Sequence, residues 1–331
     1  TKILIWIVEF LASIPYAAIP VSLNIFVAVG ISVLLLAGLW YFWKVPRMKN
    51  VLACSGTAVV IFILVGIFSV SSAPSLTMLN VGQGDCCLIQ SGGQKVLIDT
   101  GNQNTMLKEA LAKQGVMNLD AIFITHPDSD HSQSLDSLKG LVQVGCVYVH
   151  KDCLSCKCEN CCGLKNRAKN LVGEENIKTV TKGDIVLLGC IEMDCIWPEK
   201  YKDEGGNADS LTFLLKADVD SDGQADARAL LCGDAEKDQI KEMCKDSKYG
   251  PEMGDVDIYK LGHHGSKNAI YEEEAKFLNP KILLVSVGKN KYGHPNKEIL
   301  GIFERLGTSV YRTDEKGDVK CEFFKDQIKV A

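Results

Sequence analysis

Charge is almost missing from the first 75 residues of this 331-residue chain, where only Lys2, Glu9, Lys44, Arg47 and Lys49 carry any. That shortage excludes a wholly soluble protein. The remainder lacks an excess of positive charge. The chain as a whole has 36 Lys+Arg against 41 Asp+Glu. Its net −5 divides into +3 for residues 1–75 and −8 for residues 76–331. An acidic domain of this kind does not grip nucleic acid through bulk positive charge. No internal repeat is present, so solenoids and repeat arrays are out. Apolar residues are not lacking: at 47% hydrophobic the chain can build a sizeable core, which excludes disordered and fibrous classes. The length suits about two domains.

The uncharged part reads as a membrane segment, residues 1–75. From Phe10 to Trp43 no residue is charged, but Pro15 and Pro20 break the run. Residues 21–43 suffice for one spanning helix and residues 51–70 for a second. Residues 3–10 suit an interfacial helix or the tail of another span. The loop 44–49 between the spans holds Lys44, Arg47 and Lys49, and Trp40, Tyr41, Phe42 and Trp43 form an aromatic belt beside it. Three positive charges in a short loop place it on the cytoplasmic side, so everything after Ser71 is expected on the extracytoplasmic side. A signal peptide followed by a core helix fits two such stretches poorly. The chain opens on Thr1 rather than Met, and a piece of a longer polypeptide is expected.

Residues 69–75 read as a Ser-rich linker. Beyond them, residues 76–81, 86–90 and 95–98 are short strand-like runs punctuated by glycine, and 119–125 has a buried-strand pattern. Further strands are expected at 211–216, 228–232, 256–261, 281–287 and 309–312. Helices are expected at 107–114, 132–138, 236–244, 271–278 and 296–306. Strand clusters alternating with single helices predict an α/β domain over residues 76–331, with sheets sandwiched between helices.

Where the apolar strand 119–125 ends, the sequence reads Ile124-Thr125-His126-Pro127-Asp128-Ser129-Asp130-His131. Four potential ligands within six residues, at a strand-to-helix turn, can converge on one point. Two imidazoles and two carboxylates suit Zn²⁺ or Mn²⁺, and two ions more naturally than one. The competing reading is a polar helix N-cap, where Asp and Ser are common but two His at this spacing are not.

His126-x-Asp128-x-Asp130-His131 resembles the signature of the metallo-β-lactamase superfamily, in the variant with Asp at the middle His. The resemblance extends to Asn80-Val-Gly-Gln-Gly-Asp85, Leu97-Ile-Asp99-Thr-Gly101, Cys232-Gly-Asp234, Leu261-Gly-His263-His264-Gly-Ser266 and Val287-Gly-Lys-Asn290-Lys-Tyr-Gly-His294-Pro295. Their order, with two spans just upstream, is similar to the C-terminal part of ComEC-type DNA-uptake proteins. The resemblance implies an αββα metallo-β-lactamase sandwich preceded by two transmembrane helices. It implies that His126 and Asp128 hold the first metal, that Asp130 and His131 hold the second, and that Asp234 bridges them. One of His263 and His264 completes the second site, with His263 first after the strand. Asp99 then lies behind a ligand and orients it, and Asp85, Ser210, Asn290 and His294 are candidates for that layer or for substrate. Asn80 stands where these uptake proteins usually have Asp. The further His of the wider superfamily is absent, since Asn207-Ala-Asp209-Ser210 occupies the matching region and His150 falls elsewhere. The first metal is therefore left open to water or a phosphate oxygen, and Asp128 or Asp130 is the candidate catalytic carboxylate.

Six cysteines crowd residues 146–162, in a locally basic stretch that reads as an insertion at about 146–170. Cys153, Cys156, Cys158 and Cys161 leave three readings open: disulfides, a structural zinc site, or free thiols. Asp218-x-Asp220-x-Asp222-Gly223 imitates the start of a calcium loop, but Ala229 stands where the pattern wants Glu, so a solvated hairpin is expected.

The resemblance implies a membrane-anchored, extracytoplasmic two-metal phosphodiesterase, a nuclease of natural transformation that degrades the strand not imported. Its partners would be DNA, the membrane and a channel region, with no nucleotide cofactor. Lys267, Lys289, Lys291, Lys297 and Arg305 are the candidate basic patch, and Lys260 or His294 would hold a phosphate oxygen. The rivals are a phosphocholine-esterase-like phosphodiesterase and a non-catalytic DNA-handling domain. Trp197 is the only Trp after residue 75, which disfavours an aromatic choline cage.

Overall fold

A computed structural model describes residues 73–331 and, ahead of them, Val33 alone. The expected spans at 21–43 and 51–70, the loop 44–49 and the helix at 3–10 lie outside the described residues. No helix among the described residues is long and apolar enough to cross a membrane.

Two mixed sheets form the frame. The eight-stranded sheet runs, in spatial order, Gln327–Val330, Val319–Phe324, Ser75–Met78, Cys87–Ser91, Gln94–Ile98, Asn118–Phe123, Gln143–His150 and Ile177–Val180. The seven-stranded sheet runs Ser309–Arg312, Ile282–Val285, Ile258–Lys260, Ala227–Leu231, Thr212–Ala217, Ile191–Trp197 and Ile185–Leu188. Each is parallel through one half and antiparallel through the other.

Period-two alternation explains the layers. In Asn118–Phe123, Ala121 and Phe123 face a core shared with Phe213, Leu215, Leu231 and Leu284 of the other sheet. Ile122 points the opposite way, under the helices Asn104–Lys113 and Glu159–Val172. The outer face of the second sheet buries Leu230, Tyr259 and Leu283 against Ile240, Leu278 and Phe303 of three further helices. The order is helices, sheet, sheet, helices, so central strands are apolar on both faces.

Two expectations shift. The helix expected at 132–138 is a one-turn helix Ser129–Ser132 followed by a 3₁₀ turn Leu135–Leu138. Ser132 Oγ donates back to the Pro127 and Asp128 carbonyls, which favours a turn over helix continuation. The Cys-rich insertion does not begin at 146: Gln143–His150 is a sheet strand, parallel to Asn118–Phe123. Cys146 there is a small apolar residue of the inter-sheet core.

Candidate metal centre

The chemistry-bearing residues gather at one edge of both sheets. His126–His131 follows strand Asn118–Phe123, Asp99 follows Gln94–Ile98, Asp234 follows Ala227–Leu231, and the histidine pair follows Ile258–Lys260. These are the carboxyl ends of parallel strands, where loops diverge and leave a crevice. Asp85 and Ser210 precede antiparallel strands, which brings them to the same edge.

The structure brings Asp130, His131, Asp234 and His264 together, with one donor atom of each within 4.8 Å of the others. Asp234 Oδ1 lies 3.2 Å from His131 Nε2, and Asp234 Oδ2 lies 3.8 Å from His264 Nε2. His264 Nε2 is also 3.3 Å from Asp130 Oδ2. His126 stands beside them, its ring 4.1 Å from that of His131 and its Nε2 3.6 Å from Asp128 Oδ2. His126 Nε2, His131 Nε2 and Asp234 Oδ1 are buried without a hydrogen-bond partner. Orphaned buried donors and acceptors are costly, and three of them aimed into one space are what divalent ions would satisfy. The donor set of imidazoles and carboxylates fits such ions.

The far side of each ring is fixed. His131 Nδ1 donates to Asp99 Oδ2 at 2.7 Å. His264 Nδ1 donates to the Ser286 carbonyl at 2.8 Å, with Asp85 Oδ1 at 3.3 Å. His126 Nδ1 meets Thr125 Oγ1 at 3.2 Å and Ser210 Oγ at 3.3 Å. Each contact commits Nδ1 and turns Nε2 to the centre. Asp99, at φ 61, also accepts from Thr125 N and Thr125 Oγ1, each at 2.7 Å. Gly84 lets the backbone come close: a Cβ on it would sit 2.5 Å from the Asp130 carbonyl oxygen, at φ +154. Gly84→Val is therefore expected to displace Asp130 and weaken metal uptake, read as a lower metal content per chain with circular dichroism intact.

The electrostatics are those of a tightly paired cluster. Burial alone would push Asp234 up, but His131 and His264 hold its carboxyl well below the usual range. Burial likewise opposes charge on His264, yet Asp234 and Asp85 raise it to about 10. In the metal-free protein this proton stabilises the fold fully below the ordinary value of 6.5 and stops doing so as pH rises through about 10. The thermal midpoint of the chelator-treated chain is therefore expected to fall between those two pH values. Scanning calorimetry with and without Mn²⁺ checks this, since bound metal replaces the proton and flattens the dependence.

Several assignments change with the geometry. His263 comes first after the strand, but His264 is the ring in the cluster. His263 Nδ1 is taken by Glu236 Oε1 at 2.8 Å, and its Nε2 is 4.0 Å from Asp234. Lys260 is not free for a phosphate oxygen, because it is buried on Asp85 and the Gly233 carbonyl. Burial opposes charge on both partners, but their attraction keeps Asp85 ionised and Lys260 protonated. Ser210 is fully buried and touches His126 rather than solvent. Asn290 spends its amide on the Gly288 and His294 carbonyls and its oxygen on Tyr292 N and His294 N, which braces a loop instead of a substrate. His294 stays at the rim, its ring 5.4 Å from His263 and its Nδ1 unpartnered. Asn80 Oδ1 accepts from Gly82 N in a turn. Thr125, Glu236 and Asn160 join the site without a signal in the sequence; Asn160 Nδ2 donates to Asp128 Oδ1 at 3.0 Å. No disulfide joins the described cysteines. The Asp218–Gly223 segment is the hairpin between strands Thr212–Ala217 and Ala227–Leu231, tied inward by its own turns.

Residues 79–155 match the model of the metallo-β-lactamase superfamily. The fold is the metallo-β-lactamase fold. That match spans Asp99 and the whole His126–His131 motif, while Asp234 and His264 come from the later strands of the same architecture. The metallo-β-lactamase fold binds metal ions, usually two, and the Asp/His cluster is the candidate place for them here. The resemblance to ComEC-type proteins extends over most of the chain. It is 26% identical over 298 residues to ComE operon protein 3 of Bacillus subtilis (strain 168), covering 83% of this chain and 36% of that protein. It is 25% identical over 303 residues to Recombination protein 2 of Haemophilus influenzae, covering 86% and 34%. The chain thus spans about a third of the length of the curated relatives it matches. Among solved structures, the diiron β-hydroxylase CmlA of Streptomyces venezuelae aligns over 76% of this chain and 55% of its own, with TM-score 0.50 and 15% identity, a likeness of fold alone.

Proposed function

We propose that residues 76–331 are a two-metal phosphodiesterase domain acting on DNA, anchored by a membrane segment in residues 1–75 and facing the extracytoplasmic side. The observation that supports this most is the convergence of His131, Asp234, His264 and Asp130, with buried donor atoms left for ions. DNA is the favoured substrate because the chain is similar, along most of its length, to a protein named for recombination and to one named for competence. In this reading Asp130, His131, His264 and Asp234 hold one ion, Asp234 also faces the other, and His126 and Asp128 hold that other. Bound Zn²⁺ or Mn²⁺ would supply polarisation of a phosphate oxygen and activation of water. The chain's own groups then orient the reactants. Asp130 and Asp128 are partly exposed. The His126 ring beside it holds the Asp128 carboxyl below the usual range. For Asp130, burial is outweighed by His264 and His131. Both therefore accept a hydrogen bond from an attacking water at neutral pH. His294 is pushed down by burial and by the neighbouring histidines, so it is a neutral ring at the rim. The channel region or other uptake machinery would deliver the strand, since the acidic domain binds free DNA weakly.

A second reading draws on the cleft beside Asp128. It has about 350 Å³ of room and is lined by Asp128, Glu159, Asp203 and Glu204 among others. Four carboxylates repel a second phosphate and favour the cationic end of a small phosphodiester. No aromatic side chain lines the cleft to cage it.

The deciding experiment incubates the chain with labelled single- and double-stranded DNA and with a chromogenic phosphodiester, in Mn²⁺, Zn²⁺, Mg²⁺ or chelator. Metal-dependent DNA cleavage that is lost in Asp130→Ala is the expected result. Turnover of the chromogenic ester alone selects the small-substrate reading. Turnover of neither leaves a DNA-handling domain.

A further inference from the structure

The cysteines beyond strand Gln143–His150 form a second donor cluster, built separately from the Asp/His centre. Cys156, Cys158 and Cys161 bring their sulfurs within 4.8 Å of one another, and Cys156 Sγ lies 3.2 Å from Cys158 Sγ. All three point at one atom, the Glu204 carbonyl oxygen, at 3.8, 3.3 and 3.7 Å. A carbonyl has two lone pairs, so three thiols over-subscribe it. Glu204 is held there at φ 48, a left-handed conformation uncommon for Glu. Its neighbour Gly205 is pressed against Cys161 Sγ and Pro127: a Cβ on it would lie 3.1 and 3.2 Å from them. A fourth sulfur, that of the fully buried Cys153, lies in the same buried cluster as Cys161.

We infer that Cys156, Cys158 and Cys161 bind a thiophilic ion, Zn²⁺, with Cys153 or the Glu204 carbonyl as fourth donor. Thiolates select such ions over the hard divalent metals suited to the carboxylate-rich centre. Bonds of about 2.3 Å place tetrahedral sulfurs about 3.8 Å apart, so the three thiols need only small adjustments. Each thiol releases its proton on binding. Cys156 and Cys158 are partly exposed, which leaves an entry path. The ion would pin the segment 203–206 to the helix Glu159–Val172, whose Asn160 holds Asp128.

The test uses the full chain, purified in detergent with reductant. The expected result is one zinc per chain beyond those of the Asp/His centre. On replacement by Co²⁺, a thiolate-to-cobalt charge-transfer band is expected in the near ultraviolet. Cys158→Ser should remove both the extra zinc and the band. Cys162→Ser, outside the cluster, and Asp234→Asn should keep the band. Because Cys158→Ser can impair folding, Cys158→His is run beside it and should keep the zinc with a weaker band. A reduced chain that binds cobalt without the band, or keeps it at full strength in both Cys158 variants, overturns the assignment. So does a peptide map showing Cys156 joined to Cys158 as a disulfide in freshly isolated, zinc-free chain.

Discussion

Asp234→Asn is expected to lower metal-dependent hydrolysis by about three orders of magnitude or more, with metal content falling alongside. The carboxylate lies between His131 and His264, with one oxygen toward each and Oδ1 otherwise unpartnered. Asn keeps the shape but replaces one oxygen by an amide donor, which faces an imidazole nitrogen and cannot bind a cation. Metal-supplied charge stabilisation is worth several kcal/mol, and each 1.36 kcal/mol is about tenfold in rate. Metal analysis and kcat/KM on the cleaved substrate check the result, with circular dichroism showing an intact fold. A variant that keeps its metal and works within tenfold of the parent would place the centre elsewhere.

Asp99→Asn should act through a proton position. In the parent, Asp99 takes the Nδ1 proton of His131 and both the amide and the hydroxyl of Thr125. An Asn amide nitrogen turned to His131 would make Nδ1 the acceptor. The ring proton then moves to Nε2, the atom that faces Asp234, and ligation there is blocked. Partners of this kind typically contribute about 10–100-fold in metal affinity, and that loss is expected by competition titration against a chelating dye. The conservative shape leaves thermal stability nearly unchanged, which separates the effect from simple unfolding.

The motif was legible in the chain because its donors are near neighbours on one turn: His126, Asp128, Asp130 and His131 need only a strand to end. Asp234 was legible by its place after an apolar strand. The choice between His263 and His264 was not. Both adopt positive φ, at 46 and 52, and what separates them is a carbonyl 22 residues away at Ser286. Asn160 and Glu236 were equally silent, since each reaches its partner across about 30 residues. Most strands showed by alternation or apolar runs. The edge strand Gln327–Val330 did not, because it is short and largely open to solvent. The cysteines misled in one place: spacing drew Cys146 into the cluster, whereas the sheet uses it as a small core residue.

The centre draws its donors from both sheets. His126, Asp130 and His131 hang from the first, Asp234 and His264 from the second, 103 residues apart at the contact between His131 and Asp234. Neither half of the molecule holds a complete site. An ion bound there is a clasp between the halves, and its affinity includes the free energy of docking them. Removing it would loosen the seam between the sheets at the edge where catalysis is proposed, while the Phe123 and Phe213 rings, packed edge to face 5.4 Å apart, keep the middle closed.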